Sequence, residues 1–162
     1  MKLTYKCLKY GDDISTDLII AGKYTKTLNT GDLAAHAMED LDPGFPEKAR
    51  GGVFLVAGTH FGCGSSREQA PVALKAAGVV CVVAKTFSRI FYRNAVNIGL
   101  PIAECDTDRI GEGDELSYTL GGSALLNKTT GESLPVAPLP RIMVEILMDG
   151  GVIAHFKKTG GF

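Results

Sequence analysis

The chain has 162 residues, of which 45% are apolar and 22% charged, and its formal net charge at pH 7 is -1. A chain of this size forms one domain that buries roughly 68–70% of its unfolded surface, so it needs no disulfide or metal to hold a core. So small a net charge excludes a field that recruits nucleic acid or an anionic membrane. With neither a leader core nor a run of some 18 apolar residues, the expectation is a soluble, cytoplasmic protein.

In chain order, "KLTYKCLKY" alternates as an opening strand, and "GDDISTDLII" then turns through Gly11 and a group of acids. "TGDLAAHAMEDL" places Leu33, Ala34, Ala37, Met38 and Leu41 at helical spacing, and "DPGFP" stops that helix. "GVFLVAG" is a short continuous apolar run, the pattern of a strand buried on both faces. "SREQAPVALKAAG" predicts a helix closed by Gly78, and "VVCVVA" a second buried strand. "TFSRIFYRNAVNIG" predicts another helix, closed by Gly99, and "LPIAE" a third strand.

Residues 53–104 thus read β-α-β-α-β, a parallel unit whose ligand edge lies at the carboxyl ends of its strands. In the tail, "DELSYTL" and "SALLNKTTGESLPVA" predict antiparallel strands around the turn "TTGE". "PRIMVEILMDGG" predicts a short amphipathic helix, and "VIAHFKKTGGF" a last strand with a loose terminus. The fold class expected is mixed α/β, one domain over residues 1–162. Cys7, Cys63, Cys81 and Cys105 are scattered singly with no C-x-x-C pair. Free thiols are expected, with no metal site built from this chain alone.

The stretch "HFGCGSSREQAP", residues 60–71, follows the first buried strand of that unit. Ser65 and Glu68 stand in the S-x-x-E relation of a capping box, which accounts for both without chemistry. It does not account for Gly62 and Gly64 around Cys63, nor for Arg67, a cation where the helix dipole disfavours one. Glycines admit a ligand close to the backbone, a helix N-terminus offers free N–H donors, and arginine offers a planar fork for a carboxylate or phosphate. Two readings stay open: a plain helix cap, or an anion site with a hydroxyl poised inside it. The G-x-G-x-x-G, Walker and G-x-S-x-G patterns are all absent. A Cys63/His60 nucleophile pair is the weaker alternative.

"FGCGSSRE" resembles the family of 3-isopropylmalate dehydratase small subunits, the mobile swivel domain of the aconitase superfamily. "GDDISTDLIIAGKY", "MEDLDPGF" and "SRIFYRNAVNIGLP" agree in the same order, covering residues 10–104, and the short form is similar to the archaeal-type members. The resemblance implies a swivelling β/β/α fold and a hydro-lyase of leucine biosynthesis that removes and re-adds water on a hydroxy-di- or tricarboxylate. It implies a partner large subunit that holds a 4Fe–4S cluster, with this chain inactive alone. By motif match Ser65 is the base, acting as an alkoxide stabilised among helix N–H groups and by Arg67. Arg67 grips a substrate carboxylate, Gly64 and Ser66 line the same pocket, and Asp17 supports the catalytic network.

Substrate choice in the family depends on the loop that here reads "GKYTKTLNTG", with Thr25 and Lys26 the candidate contacts. Relatives often carry Tyr-Leu-Arg there. The loop therefore leaves isopropylmalate, homoaconitate-type and substituted malates (dimethylmalate or citraconate-type) open. His60 and Gln69 stand where relatives commonly have Asn and His, and are expected to touch neither Ser65 nor Arg67. Arg89, Arg93 and Asn94 read as scaffold or interface residues, and self-association of the isolated subunit is left open. A non-catalytic carboxylate- or phosphate-binding module is the alternative from another class.

Overall fold

The computed structural model describes residues 1–27 and 29–160. In chain order its elements are β1 (Lys2–Lys9), α1 (Thr16–Ile19), α2 (Thr30–Ala35), α3 (Phe45–Ala49), β2 (Val53–Val56), α4 (Gln69–Ala77) and β3 (Val79–Ala84). They continue with α5 (Arg89–Asn97), β4 (Ile102–Glu104), β5 (Glu115–Thr119), β6 (Ala124–Asn127), β7 (Glu132–Pro135), α6 (Arg141–Met148) and α7 (Val152–Thr159). The strands form one sheet ordered β4-β3-β2-β1-β5-β6-β7. From β1 to β4 all pairings are parallel, and from β1 through β5 and β6 to β7 all are antiparallel.

The expected β-α-β-α-β unit is β2-α4-β3-α5-β4. Its strands advance across the sheet in one direction, so right-handed crossovers put α4 and α5 on the same face. The two helices pack side by side there. All four residues of β2 are buried, which explains why its sequence is apolar without alternation. In β6 only alternate residues, Leu125 and Asn127, are buried, as in a strand with one wet face. Asn127 is buried because its side chain works as a turn anchor. Its amide nitrogen donates to Asp114 Oδ2 at 2.9 Å, and its oxygen accepts from Thr129 N at 3.1 Å.

Three local expectations are corrected. The segment from Val152 is a helix, not a strand. "DGG" reverses the chain after α6, and α7 folds back against α6 and α5 with His155 buried. His155 Nδ1 lies 2.7 Å from Asp149 Oδ2, so the side chain of the turn fastens the new helix. The helix expected over residues 30–41 ends at Ala35. Met38 adopts φ 58, its N–H donates to Ile19 O at 2.8 Å, and its side chain drops fully into the core. The capping box at Ser65 is not formed either: α4 begins at Gln69, with Glu68 at the cap position and no side-chain cap bond. The residues before it are occupied elsewhere, as the site geometry explains.

Candidate active site

At the carboxyl ends of β1 and β2 the two chains go on exchanging hydrogen bonds as they leave the sheet. Tyr10 N donates to Val56 O (2.8 Å), Gly58 N to Gly11 O (3.0 Å) and Asp13 N to Thr59 O (2.8 Å). Gly62 N then donates to Ile14 O (2.8 Å) and Thr16 N to Cys63 O (2.8 Å). The alternation is that of a parallel ladder continued through irregular backbone. It bends where two non-glycine residues, Asp13 and His60, take left-handed φ values of 55 and 57. Their side chains meet, His60 Nδ1 lying 3.0 Å from Asp13 Oδ1. The ladder lays Ser15 alongside Cys63, and Thr16 Oγ1 extends it by donating to Ser65 O at 2.8 Å. That strap holds residues 63–65 away from helical geometry, which is why α4 starts late.

Gly62 is the pivot of this corner. Its φ is 81, and a Cβ there would lie 2.3 Å from the Cβ and Cγ of Phe91. Phe91 is buried against Phe61 in an edge contact with ring centroids 5.0 Å apart. Gly62→Ala therefore carries both a left-handed backbone penalty and a steric one, together about 3 kcal/mol. We expect the isolated variant to melt about 6–12 °C lower in a calorimetric scan; an unchanged melting temperature would show that the corner yields without cost.

Around the strap stand the residues the sequence singled out. Ser65 is exposed, and its hydroxyl has no hydrogen-bond partner among the described residues. Ser66 and Gly64 are exposed beside it, Gly64 with φ 98. Arg67 is 21% exposed and reaches back across the corner, its Nη1 lying 2.5 Å from Asp17 Oδ1. The same nitrogen donates to Ile20 O at 2.9 Å. Asp17, in the first turn of α1, is 70% exposed, so this ion pair is worth little against water. A weak pair with a wet acid is one that an incoming carboxylate can replace.

The later start of α4 changes one electrostatic expectation. Helix-terminal potential fades within one turn, and Ser65 precedes the first helical residue by more than that. Arg67 is then the cation nearest to Ser65 in sequence. The loop 20–27 lies on the other side of Arg67, whose guanidinium covers Gly22: a Cβ there would sit 3.4 Å from Nη2. Thr25 is half-buried and its hydroxyl donates to Gly22 O at 2.8 Å, whereas Lys26 is exposed and has no ion-pair partner among the described residues. Gln69 Nε2 donates to Thr25 O at 2.9 Å.

Two contributors escaped the sequence reading. Thr16 was hidden inside a Ser-Thr-Asp run that reads as a helix cap, and Ser15 does cap α1 by accepting from Leu18 N at 3.2 Å. Gln69 fastens the loop through Thr25 O and makes no hydrogen bond to Ser65 or Arg67 among the described residues; nothing in one sequence pairs it with a carbonyl far upstream. Among the described residues the four cysteines are free thiols and do not gather into a ligand set for a cluster. Burial pushes the thiols of Cys7 and Cys105 up to about 11 and raises that of Cys81, which keeps them protonated. No three His, Cys, Asp or Glu side chains gather as a metal site among the described residues. A cavity of about 470 Å³ opens between α5 and α6, lined in part by Arg89, Arg93 and Glu104, but no residue of 60–70 borders it. The Ser65 corner is instead an open surface, and no described helix is long and apolar enough to cross a membrane.

The open corner thus lies at the carboxyl edge of a half-parallel, half-antiparallel sheet and carries serine, arginine and aspartate. The sequence model of the aconitase C-terminal domain matches residues 13–104. The 3-isopropylmalate dehydratase small subunit 2 of Archaeoglobus fulgidus is 52% identical over 161 residues, covering 99% of this chain and 98% of that relative. The small subunit of Pyrobaculum neutrophilum is 53% identical and covers 99% of each chain. The crystal structure of 3-isopropylmalate dehydratase from Methanocaldococcus jannaschii superimposes with a TM-score of 0.94 at 40% identity, over 99% of this chain and 96% of that one. The chain belongs to the aconitase C-terminal domain family and, within it, to the small subunits of 3-isopropylmalate dehydratase.

Proposed function

We propose that this chain, acting as one swivel domain over residues 1–162, supplies the proton-moving half of an isopropylmalate hydro-lyase in the cytoplasm. The reaction interconverts 2- and 3-isopropylmalate by loss and re-addition of water, a step of leucine biosynthesis. Ser65, as an alkoxide, takes the proton from one carbon as hydroxide leaves its neighbour, and gives that proton to the neighbour as hydroxide adds to the first carbon. Arg67 exchanges Asp17 and Ile20 O for a substrate carboxylate, and Asp17 supports the catalytic network from beside it. Gly64 and Ser66 line the pocket, and Thr25 and Lys26 face the substrate's variable end. A partner large subunit carries the 4Fe–4S cluster, which supplies the Lewis acid for the departing hydroxyl.

The observation that supports this reading most is the convergence of Ser65, Arg67 and Asp17 on one uncovered corner, from segments 49 residues apart at the Thr16–Ser65 bond. Catalytic groups left on an open surface need a second surface to exclude water. We therefore expect each purified chain alone to show no turnover, and activity to appear on mixing this chain with a cluster-loaded large subunit. Assays with isopropylmalate, homoaconitate and citraconate-type acids should show preference for isopropylmalate. Preference for another acid reassigns the substrate, and activity of this chain alone overturns the division of labour.

A further inference from the structure

The loop that carries Thr25 and Lys26 is tied to the motif segment at two separate points. Arg67 holds its near end, donating to Ile20 O at 2.9 Å and covering Gly22. Gln69, at the start of α4, holds its far end by donating from Nε2 to Thr25 O at 2.9 Å. Between them Thr25 Oγ1 closes the turn onto Gly22 O at 2.8 Å, and Tyr24 stacks on His36 with ring centroids 3.8 Å apart.

The two ties differ in one respect that matters for chemistry. Arg67 is a cation beside an exposed carboxylate, and a substrate carboxylate competes for the same nitrogens. Gln69 is uncharged, half-buried and bonded to a backbone carbonyl, so an anion arriving at Arg67 does not compete for it. A carboxylate that takes Arg67 from Ile20 O leaves the Gln69 bond in place as a tie between the loop and the motif segment.

We infer that Gln69 is a positioning residue: without touching substrate, its amide keeps the 20–27 loop in register with Arg67 and so governs which substrates bind. This rests on the reading that Arg67 and the loop contact the substrate. A neutral hydrogen bond of this kind is worth about a threefold to tenfold effect on an equilibrium.

The test uses Gln69→Leu, which keeps the bulk and removes the donor, and Gln69→His, whose Nε2 stands four bonds from Cα as the glutamine Nε2 does. Hydrogen exchange on the full-length isolated chain reports the tie, and steady-state kinetics on the reconstituted pair report its consequence. For Gln69→Leu we expect faster amide exchange across residues 22–27 and KM for isopropylmalate raised about threefold to tenfold. The same variant should keep kcat within about twofold, and Gln69→His should restore both readouts. Unchanged exchange in Gln69→Leu, or failure of Gln69→His to restore it, overturns the inference itself. Faster exchange with an unchanged KM for every acid tried overturns the reading beneath it, since the loop would then be loose without affecting binding. Unaltered melting temperature separates either result from general unfolding.

Discussion

Ser65→Ala in the reconstituted pair is expected to lower kcat by about 10²–10⁴, the range that a positioned general base supplies. The same substitution should leave the isolated chain folded. Ser65 is exposed, its hydroxyl holds no partner, and its structural bond runs through the backbone carbonyl that alanine retains. Surface changes of that sort stay within about 0.5 kcal/mol. Loss of turnover with intact melting and intact partner assembly is thus a chemical result rather than a folding one. Ser66→Ala tests the assignment of the base, because it removes the neighbouring exposed hydroxyl, which lines the pocket but is not the base. If Ser66→Ala abolishes turnover and Ser65→Ala leaves it near normal, the base has been misassigned by one residue.

Arg67→Lys carries the second large effect, and it falls on binding. Lysine keeps the charge but offers a point donor where arginine offers a fork, so one of two charge-assisted bonds to a carboxylate is lost. Such bonds are worth about 1.5–3 kcal/mol, which converts to a KM raised about 10–150-fold. The structure adds a second reason for the loss. One guanidinium meets both Asp17 and Ile20 O and lies over Gly22, and a lysine ammonium cannot cover all three at once. Steady-state kinetics across substrate concentrations check this directly. An unchanged KM would mean that the arginine holds the loop and nothing else. Asp17→Asn sharpens the comparison: it should spare folding, since that acid is mostly in water, while changing the partner Arg67 must leave.

Much of the frame was legible before any coordinates. The buried strands of "GVFLVAG" and "VVCVVA" declare themselves by unbroken apolar runs, and Gly78 and Gly99 close the helices between and after them. Left-handed φ values of 124 and 80 at those two positions show why glycine stands there. The failures were where local pattern was ambiguous. "VIAHFKKT" is short and mixed, and only the reversal at "DGG" and the packing against α5 and α6 select a helix. At Ser65 the S-x-x-E spacing offered a cap as one of two open readings, yet the competing bonds from Thr16 to Cys63 O and Ser65 O won. A capping box is a local preference, and a ladder continued from two strands overrides it.

By itself the amino-acid order determined the parallel unit and the antiparallel tail, because apolar periodicity and glycine placement act over a few residues, while the candidate residues at positions 17, 25, 26 and 64–67 came from the resemblance of its motifs to a known family. Only the folded chain decided that Arg67 faces Asp17 and Ile20 rather than solvent, that Gln69 grips Thr25, and that α4 starts past the serines. Those contacts join segments distant in sequence. Their partners are chosen by where the sheet edge sets each loop down, a geometric fact that no local pattern carries.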